Sequence, residues 1–134
     1  MSDKKNARTV INELLAEQYD NAFKAKEAGQ PVGWSTSVFP QELAEAFDLC
    51  LLYPENHAAG VAAKKESLEL CELAEEKGYS MDLCAYARTN FGLLIKGHSD
   101  ALPMPTPDFL CCCNNICNEV IRSEEHTSEL QSHL

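Results

Sequence analysis

The spacing of apolar residues predicts a long helix at the start of the chain. Within residues 3–28, apolar side chains recur at the spacing of one helical face: Val10, Ile11, Leu14, Leu15, Ala22 and Phe23. Gly29 and Pro31 follow this segment. Because glycine adopts the left-handed conformation that ends helices and proline does not continue them, we expect the helix to end at about residue 28.

Two short segments after this helix have the character of buried strands. Residues 32–37 are rich in turn and β-favouring residues and predict a strand that leads into a loop. Residues 49–53 form a continuous apolar run that Pro54 stops, which is typical of a strand buried on both faces. Between them, Pro40 suits the first turn of a short helix that runs to about Phe47.

Apolar periodicity predicts two more helices in the second half of the chain. One extends from about Ala58 to Lys77 and is closed by Gly78, and the other covers residues 81–95 and is closed by Gly97. We expect both to pack against the strands, since each has an apolar face.

A proline-rich segment separates the last of these helices from a further strand. Residues 101–108 contain three prolines and predict an extended loop. Residues 109–113 form an apolar run with strand character, after which Asn114 or Asn115 is suited to cap a new helix.

Strands that alternate with helices predict the α/β class, here a partial Rossmann-like parallel sheet flanked by helices and preceded by the long N-terminal helix. We divide the chain into a helical segment 1–29, an α/β domain 30–121 and a tail 122–134. Ligands bind such sheets at the carboxyl ends of the strands. Three segments are expected to converge there: 35–37, 54–57 and 114–117.

Composition narrows the classes of function. The 134 residues carry a formal net charge of −10 without a basic stripe, which argues against nucleic acid as the partner. The apolar runs are too short to span a bilayer, and the polar N-terminus lacks the apolar core of a secretory signal. We therefore expect a cytoplasmic chain with a solvated acidic surface.

The final segment, 122–134, has no apolar periodicity, and the helix expected near Asn115 is abandoned after barely two turns. The eleven residues from Arg122 to Ser132 match the translation of a common short-read sequencing adapter. We therefore interpret 122–134 as a non-native tail and exclude it from the predicted fold. The alternative is a genuine disordered tail.

Seven cysteines in a reducing compartment are expected to be buried thiols, metal ligands or both. Cys84 lies near the start of a predicted helix, whereas Cys50 and Cys71 have the apolar neighbours of core residues. Four more cluster at a strand end and the next helix start, where a helix N-terminus stabilises thiolates: Cys111, Cys112, Cys113 and Cys117. The absence of a C-x-x-C pair disfavours a zinc ribbon or knuckle.

Glu55 and His57 follow the second predicted strand directly. At this position the two side chains are suited to act as a general base or to hold a substrate. The alternative is that Glu55 and its neighbours only cap the start of a helix.

Four segments, in order, resemble the 2-hydroxyacyl-CoA dehydratase family, which also includes benzoyl-CoA reductase subunits. They read GWSTS at 33–37, YPENHAA at 53–59, GYSMDLCAYAR at 78–88, and PDF followed by CNNICN within 107–118. The resemblance implies that the chain is roughly the first third of a subunit.

The resemblance also implies a 4Fe–4S cluster held by three cysteines of the subunit, with one iron open or differently ligated. Cys84 and Cys117 match two of the ligand positions, and the third ligand is expected outside this chain. Cys113 is the second choice among the remaining cysteines, since Cys111 and Cys112 match no ligand position securely.

The implied reaction eliminates water from a 2-hydroxyacyl-CoA by a ketyl-radical mechanism and gives a 2-enoyl-CoA. An ATP-dependent iron–sulfur activator protein supplies the electron, and a second dehydratase subunit completes a heterodimer. On this resemblance, Ser37 is expected to hydrogen-bond the substrate and Glu55 to handle protons or the hydroxyl group, with His57 a weaker catalytic candidate.

Three other interpretations stay open at this point. Within the family, the chain is alternatively part of a reductase-like subunit or of an electron-relay subunit that does not dehydrate. Outside it, the chain is a non-catalytic, cysteine-rich metal-binding module. In a third interpretation the 134-residue polypeptide is inert by itself, because a cluster ligand and later strands are missing.

Overall fold

A computed structural model describes residues 6–36 and 38–113 of the chain. The elements, in chain order, are α1 Ala7–Glu27, β1 Val32–Ser35, α2 Gln41–Ala46, β2 Cys50–Leu52, α3 Pro54–Ala63, α4 Ser67–Glu76, α5 Ala85–Lys96 and β3 Phe109–Cys111. Strands alternate with helices, as the apolar pattern predicts.

The three strands form one parallel sheet in the order β2-β1-β3. Val32 lies opposite Cys50, and Gly33 lies opposite Phe109, so β1 is paired on both sides. All four residues of β1 are buried, because helices and loops cover both faces of this central strand. The predicted α/β class is confirmed.

The first helix ends where it is predicted to end but begins at Ala7, four residues after the predicted start. The Asn6 side chain caps its start by accepting a hydrogen bond from the Arg8 amide at 3.1 Å. Gly29, just after its end, has a φ of 75°, which is the left-handed conformation that ends helices.

The predicted single helix over 58–77 is wrong, because the chain forms two helices there. The first begins earlier, at Pro54, and ends at Ala63, and α4 begins at Ser67. Between them Lys65 has a φ of 67°, which breaks the helical hydrogen-bond pattern.

Glu66, at this break, forms hydrogen bonds to the turn that follows α5. Its carboxylate accepts hydrogen bonds from the Ser99 hydroxyl at 2.8 Å and from the Asp100 and Ala101 amides at 3.0 and 2.9 Å. Burial acts to raise the pKa of Glu66, but these bonds and the Lys96 ammonium outweigh it and lower the pKa to about 2. The carboxylate at the break between α3 and α4 is therefore ionised and binds the turn after α5.

The helix predicted over 81–95 begins later, at Ala85. Residues before it form a turn in which the Ser80 hydroxyl accepts from the Asp82 amide at 3.1 Å and the Ser80 carbonyl accepts from the Leu83 amide at 3.1 Å. A serine that binds backbone two residues ahead favours a turn over a helix. Cys84 therefore stands at the N-cap of α5 and not inside it.

The proline-rich segment is extended, as predicted, and it connects several elements. The Trp34 indole donates to the Pro105 carbonyl at 3.0 Å, and the Lys26 ammonium donates to the Thr106 carbonyl at 2.7 Å. Asp108 accepts from the Val32 amide at 2.9 Å, so the starts of β1 and β3 are joined. The Lys26 ammonium and the Val32 amide lower the pKa of Asp108. We refer to residues 99–108 as the connecting loop.

The core lies between the sheet, the helices and the connecting loop. It contains the buried residues Ala22, Val32, Trp34, Leu52, Val61, Leu70, Leu93, Leu94 and Met104. No helix in the described part of the chain has the length and apolar content needed to cross a bilayer.

Candidate functional site

The carboxyl edge of the sheet brings the segment after β1 next to the segment after β3. The Thr36 amide donates to the Cys111 carbonyl at 3.3 Å, and the Cys113 amide donates to the Thr36 hydroxyl at 3.3 Å. Ser35 and Thr36 are both buried. Cys113 is thereby held beside Thr36. Position 37 and residues 114–117, which belong to two of the three segments expected to converge, lie outside the described residues.

Glu55 lies in the first turn of α3, directly after β2. Pro54 starts the helix, so the chain turns from strand to helix within two residues and leaves the half-buried Glu55 at the same edge of the sheet. The exposed amide groups of a helix N-terminus favour a carboxylate there. The Tyr53 hydroxyl donates to the Gln41 side chain, which joins this turn to α2.

His57 lies one turn deeper than this edge and is fully buried. Its Nε2 is 2.6 Å from the Leu102 carbonyl oxygen, so this nitrogen carries the proton and donates it to the connecting loop. The Tyr19 ring packs edge-on against the imidazole at 6.1 Å. Burial lowers the pKa of His57, partly offset by the bond to Leu102, which keeps the ring neutral near pH 7.

Cys84 is exposed at the N-cap of α5. A thiolate at this position gains from the amide groups of the first helical turn. By contrast, Cys71 is buried between α4 and α5, where its sulfur lies 3.6 Å from both the Ala85 carbonyl oxygen and the Thr89 hydroxyl. Burial raises the pKa of Cys50 on β2. Cys84 thus has the character of a ligand, and Cys50 and Cys71 that of core thiols.

Two of the predicted site residues, Ser37 and Cys117, lie outside the described residues. Within residues 6–36 and 38–113, no three histidine, cysteine or acidic side chains form a group that could hold a metal ion. The predicted pairing of Cys84 with Cys117 in one cluster therefore stays a prediction.

Comparison with known proteins shows the family. The protein-family model described as 2-hydroxyglutaryl-CoA dehydratase, D-component matches residues 36–134, more than half of the chain. The chain belongs to this dehydratase family. The resemblance found in four short segments is confirmed.

Curated members of the dehydratase family extend the comparison. The chain is 77% identical over 128 residues to the (R)-2-hydroxyisocaproyl-CoA dehydratase alpha subunit of Clostridioides difficile, an alignment covering 96% of this chain and 31% of that protein. It is 47% identical over 125 residues to the (R)-phenyllactyl-CoA dehydratase alpha subunit of Clostridium sporogenes, covering 93% and 31%. It is 31% identical over 113 residues to a benzoyl-CoA reductase of Thauera aromatica, covering 80% of this chain and 26% of the matched reductase chain. The chain therefore spans about 31% of the length of the dehydratase subunits that it matches.

Sequence reasoning missed three polar residues that shape this edge and its support: Thr36, Glu66 and Asp108. Each acts by binding backbone groups far away in the chain, and such partners leave no local pattern. The only available signal was positional, since Thr36 follows a strand and Asp108 follows a proline.

Proposed function

We propose that this chain is part of a subunit of an iron–sulfur 2-hydroxyacyl-CoA dehydratase, an enzyme that eliminates water from a 2-hydroxyacyl-CoA to give a 2-enoyl-CoA. The observation that carries this proposal is the 77% identity to a dehydratase alpha subunit across nearly the whole chain. The relatives are named for different acyl groups. The proposed substrate is therefore the class of 2-hydroxyacyl-CoA thioesters and not one particular acyl group.

Cys84 and Cys117 are the proposed ligands of a 4Fe–4S cluster, with the third ligand outside this chain. The exposed Cys84 thiol at a helix N-terminus suits this role, because thiolates are the usual ligands of such clusters. Cys113 is the second choice, since it lies beside Thr36 at the edge of the sheet. A cluster held there would supply the low-potential one-electron chemistry and the Lewis acidity that the proposed ketyl-radical elimination requires.

Ser37 and Glu55 are the proposed substrate-contacting residues. Ser37 is proposed to donate a hydrogen bond to the substrate. Glu55, half-buried at the start of α3, is proposed to take up the β-proton or to bind the leaving hydroxyl group. In the sequence Ser37 directly follows Thr36, which is hydrogen-bonded to Cys111 and Cys113.

For His57 the geometry favours a positioning role over contact with the substrate. Its buried imidazole joins the first turns of α3 to the connecting loop through the Leu102 carbonyl. In this role His57 holds the helix that carries Glu55. The catalytic role predicted from the sequence stays a prediction, and a variant described in the Discussion tests it.

The proposed partners are a second dehydratase subunit and an ATP-dependent iron–sulfur activator protein. The alpha-subunit names of the relatives support the first of these. The cytoplasm is the proposed compartment, because reactive thiols and a cluster of this kind need a reducing environment.

Replacement of Cys84 by serine tests the cluster. In the full-length subunit purified without oxygen, we expect Cys84→Ser to lose most of the bound iron and the visible iron–sulfur absorption, because one ligand in three is removed. Cys71→Ser is the matched control, since Cys71 is buried against α5 and is expected to keep its iron. Full iron content in the Cys84 variant would remove this residue from the ligand set.

Replacement of Glu55 by glutamine tests the proton role. We expect kcat of the complete enzyme for a 2-hydroxyacyl-CoA to fall by about 100-fold or more, while the iron content stays unchanged. Glu72→Gln, on the exposed side of α4, is the control and should leave kcat unchanged. Full turnover by the Glu55 variant would exclude this role.

One other function within the family has a specific observation in its favour. The 31% identity to a benzoyl-CoA reductase chain is compatible with a reductase-like or electron-relay subunit. An assay of the complete enzyme for 2-enoyl-CoA formation from a 2-hydroxyacyl-CoA tests the reductase-like alternative, because an enzyme that only reduces its substrate does not form this product.

A further inference from the structure

Arg88, the last residue of the motif at 78–88, connects the residue before Cys84 to a neighbouring helix. Its Nε atom donates to the Leu83 carbonyl oxygen at 3.1 Å. Its Nη1 atom donates to the Glu75 carboxylate of α4, and the two side chains form an ion pair. One side chain therefore joins α4 to the peptide group that leads into Cys84.

The position of Arg88 on α5 explains this contact. Arg88 follows Cys84 by four residues, so both lie on the same side of the helix, and the Arg88 amide donates to the Cys84 carbonyl at 3.0 Å. Side chains on a helix lean towards its N-terminus, which lets the guanidinium reach back to Leu83. The Arg88 side chain is only 17% exposed, so its ion pair is less screened by water than a pair on the open surface.

The turn that precedes Cys84 is held at two points. Within the turn, the Ser80 carbonyl accepts from the Leu83 amide at 3.1 Å. From α5, the Arg88 guanidinium binds the Leu83 carbonyl, and Glu75 binds the same guanidinium from α4. The peptide group that joins Leu83 to Cys84 is therefore fixed relative to both helices.

An arginine is better suited to this double contact than a lysine. The guanidinium is planar and its donors point in fixed directions, so one group can donate to a carbonyl and to a carboxylate at once. A lysine ammonium is a compact charge on a flexible stem, which we expect to bind the Glu75 carboxylate alone. Groups that orient a metal ligand in this way typically contribute about 10–100-fold to metal affinity.

We propose that Arg88 is a positioning residue for the iron–sulfur cluster. Together with Glu75 it holds the backbone at Leu83, so that the Cys84 thiol is presented to the cluster in one orientation. Arg88 itself binds no iron, because a guanidinium has no acceptor atom. This inference rests on the proposed function, in which Cys84 is a cluster ligand.

The test is the rate at which a chelator removes iron from the full-length subunit, purified without oxygen. Arg88→Gln removes both contacts, and Glu75→Gln keeps the arginine but weakens its bond to α4. We expect iron loss to be about tenfold faster or more for Arg88→Gln, with a smaller increase for Glu75→Gln. Lys77→Gln, which removes an exposed cation at the end of α4, is the control and should stay within about twofold.

Two further measurements separate positioning from a role in folding alone. The electron paramagnetic resonance spectrum of the reduced cluster is expected to change in Arg88→Gln, because the geometry of one ligand changes. A role in folding alone would lower the urea midpoint of the metal-free subunit and leave that spectrum unchanged. Arg88→Lys should lose iron nearly as fast as Arg88→Gln, because a lysine does not make both contacts.

Four results would overturn the inference. Unchanged iron loss or an unchanged spectrum in Arg88→Gln excludes positioning by this residue. If Arg88→Gln does not fold, unchanged iron loss from Glu75→Gln excludes it instead. Full retention of iron by Arg88→Lys would reduce the contact to a single charge beside Glu75. An unchanged subunit that binds no cluster at all would contradict the proposed function itself, and with it the role of Arg88.

Discussion

At the scale of single residues, buried polar side chains connect elements that are far apart in the chain. His57 binds Leu102, Trp34 binds Pro105 and Glu66 binds Ala101, and each bond ends on the connecting loop. A buried polar group without such a partner destabilises the fold by roughly 1–3 kcal/mol, so these bonds decide where the loop lies. The polar residues next to the proposed site are therefore parts of its framework.

His57 provides a pH test of this framework. Burial lowers the pKa of His57 below its ordinary 6.5. As the pH falls through 6.5, the unfolded chain therefore binds a proton at His57 before the folded chain does. The free energy of unfolding is therefore expected to fall as the pH drops below about 6.5. His57→Gln keeps a donor for Leu102 but does not titrate, so we expect its urea midpoint to change less between pH 7.5 and pH 5 than that of the unchanged chain.

His98→Gln is the control for this experiment, because it removes an exposed histidine and keeps the His57 imidazole. A His57 variant with the pH dependence of the unchanged chain would contradict the buried, neutral state. In the complete enzyme, a His57→Gln variant that folds normally but loses kcat as strongly as Glu55→Gln would instead support the catalytic role.

At the scale of elements, α4 and α5 pack so closely that one backbone touches the other. A Cβ atom on Gly92 of α5 would lie 1.9 Å from the Leu70 carbonyl oxygen and 2.7 Å from the Leu70 Cα atom. No side chain can move aside to relieve this contact, since both neighbouring atoms belong to the backbone of α4. The orientation of α5, and with it the position of Cys84, depends on this glycine.

Gly92→Ala is therefore expected to destabilise the chain although alanine is the better helix former. Intrinsic propensity favours alanine by about 1 kcal/mol, whereas overpacking against a backbone costs about 1–3 kcal/mol or more. We expect a lower urea midpoint for Gly92→Ala than for the unchanged chain. Gly60→Ala in α3 is the comparison, because its Cβ would approach only the flexible Leu102 side chain, at 3.0 Å. Equal midpoints for the two variants would contradict the close packing.

At the scale of the whole molecule, the described residues form one parallel sheet covered by helices. Three strands are described, and the chain spans about 31% of the length of the dehydratase subunits that it matches. The carboxyl edge carries Glu55, Thr36 and Cys113, which is the place where sheets of this kind bind ligands.

We accordingly expect the 134-residue chain to be catalytically inert. Mixed anaerobically with the activator protein, ATP and a 2-hydroxyacyl-CoA, it should form no 2-enoyl-CoA above the background of the activator alone. The physical reason is the proposed ligand set, in which Cys84 and Cys117 belong to this chain and the third ligand lies outside it. Turnover by the chain would refute this expectation.

The sequence by itself determined the alternation of helices and strands and the α/β class. Periods of 3.6 and 2 residues and the glycine and proline positions are local signals, and they are readable without any contact partner. The same local chemistry distinguished the exposed Cys84 from the buried Cys71. The sequence motifs also predicted the family correctly.

Only the tertiary structure decided the break between α3 and α4, the burial of His57 and the pairing of Thr36 with Cys113. Lys65 has a left-handed φ of 67°, and the neighbouring Glu66 accepts hydrogen bonds from a turn more than thirty residues away. No local propensity records such a distant contact. His57 has a plausible catalytic position in the sequence, but its neighbours Tyr19 and Leu102 come from other elements. Long-range hydrogen bonds and close packing join residues that the sequence separates, so only the folded chain determines them.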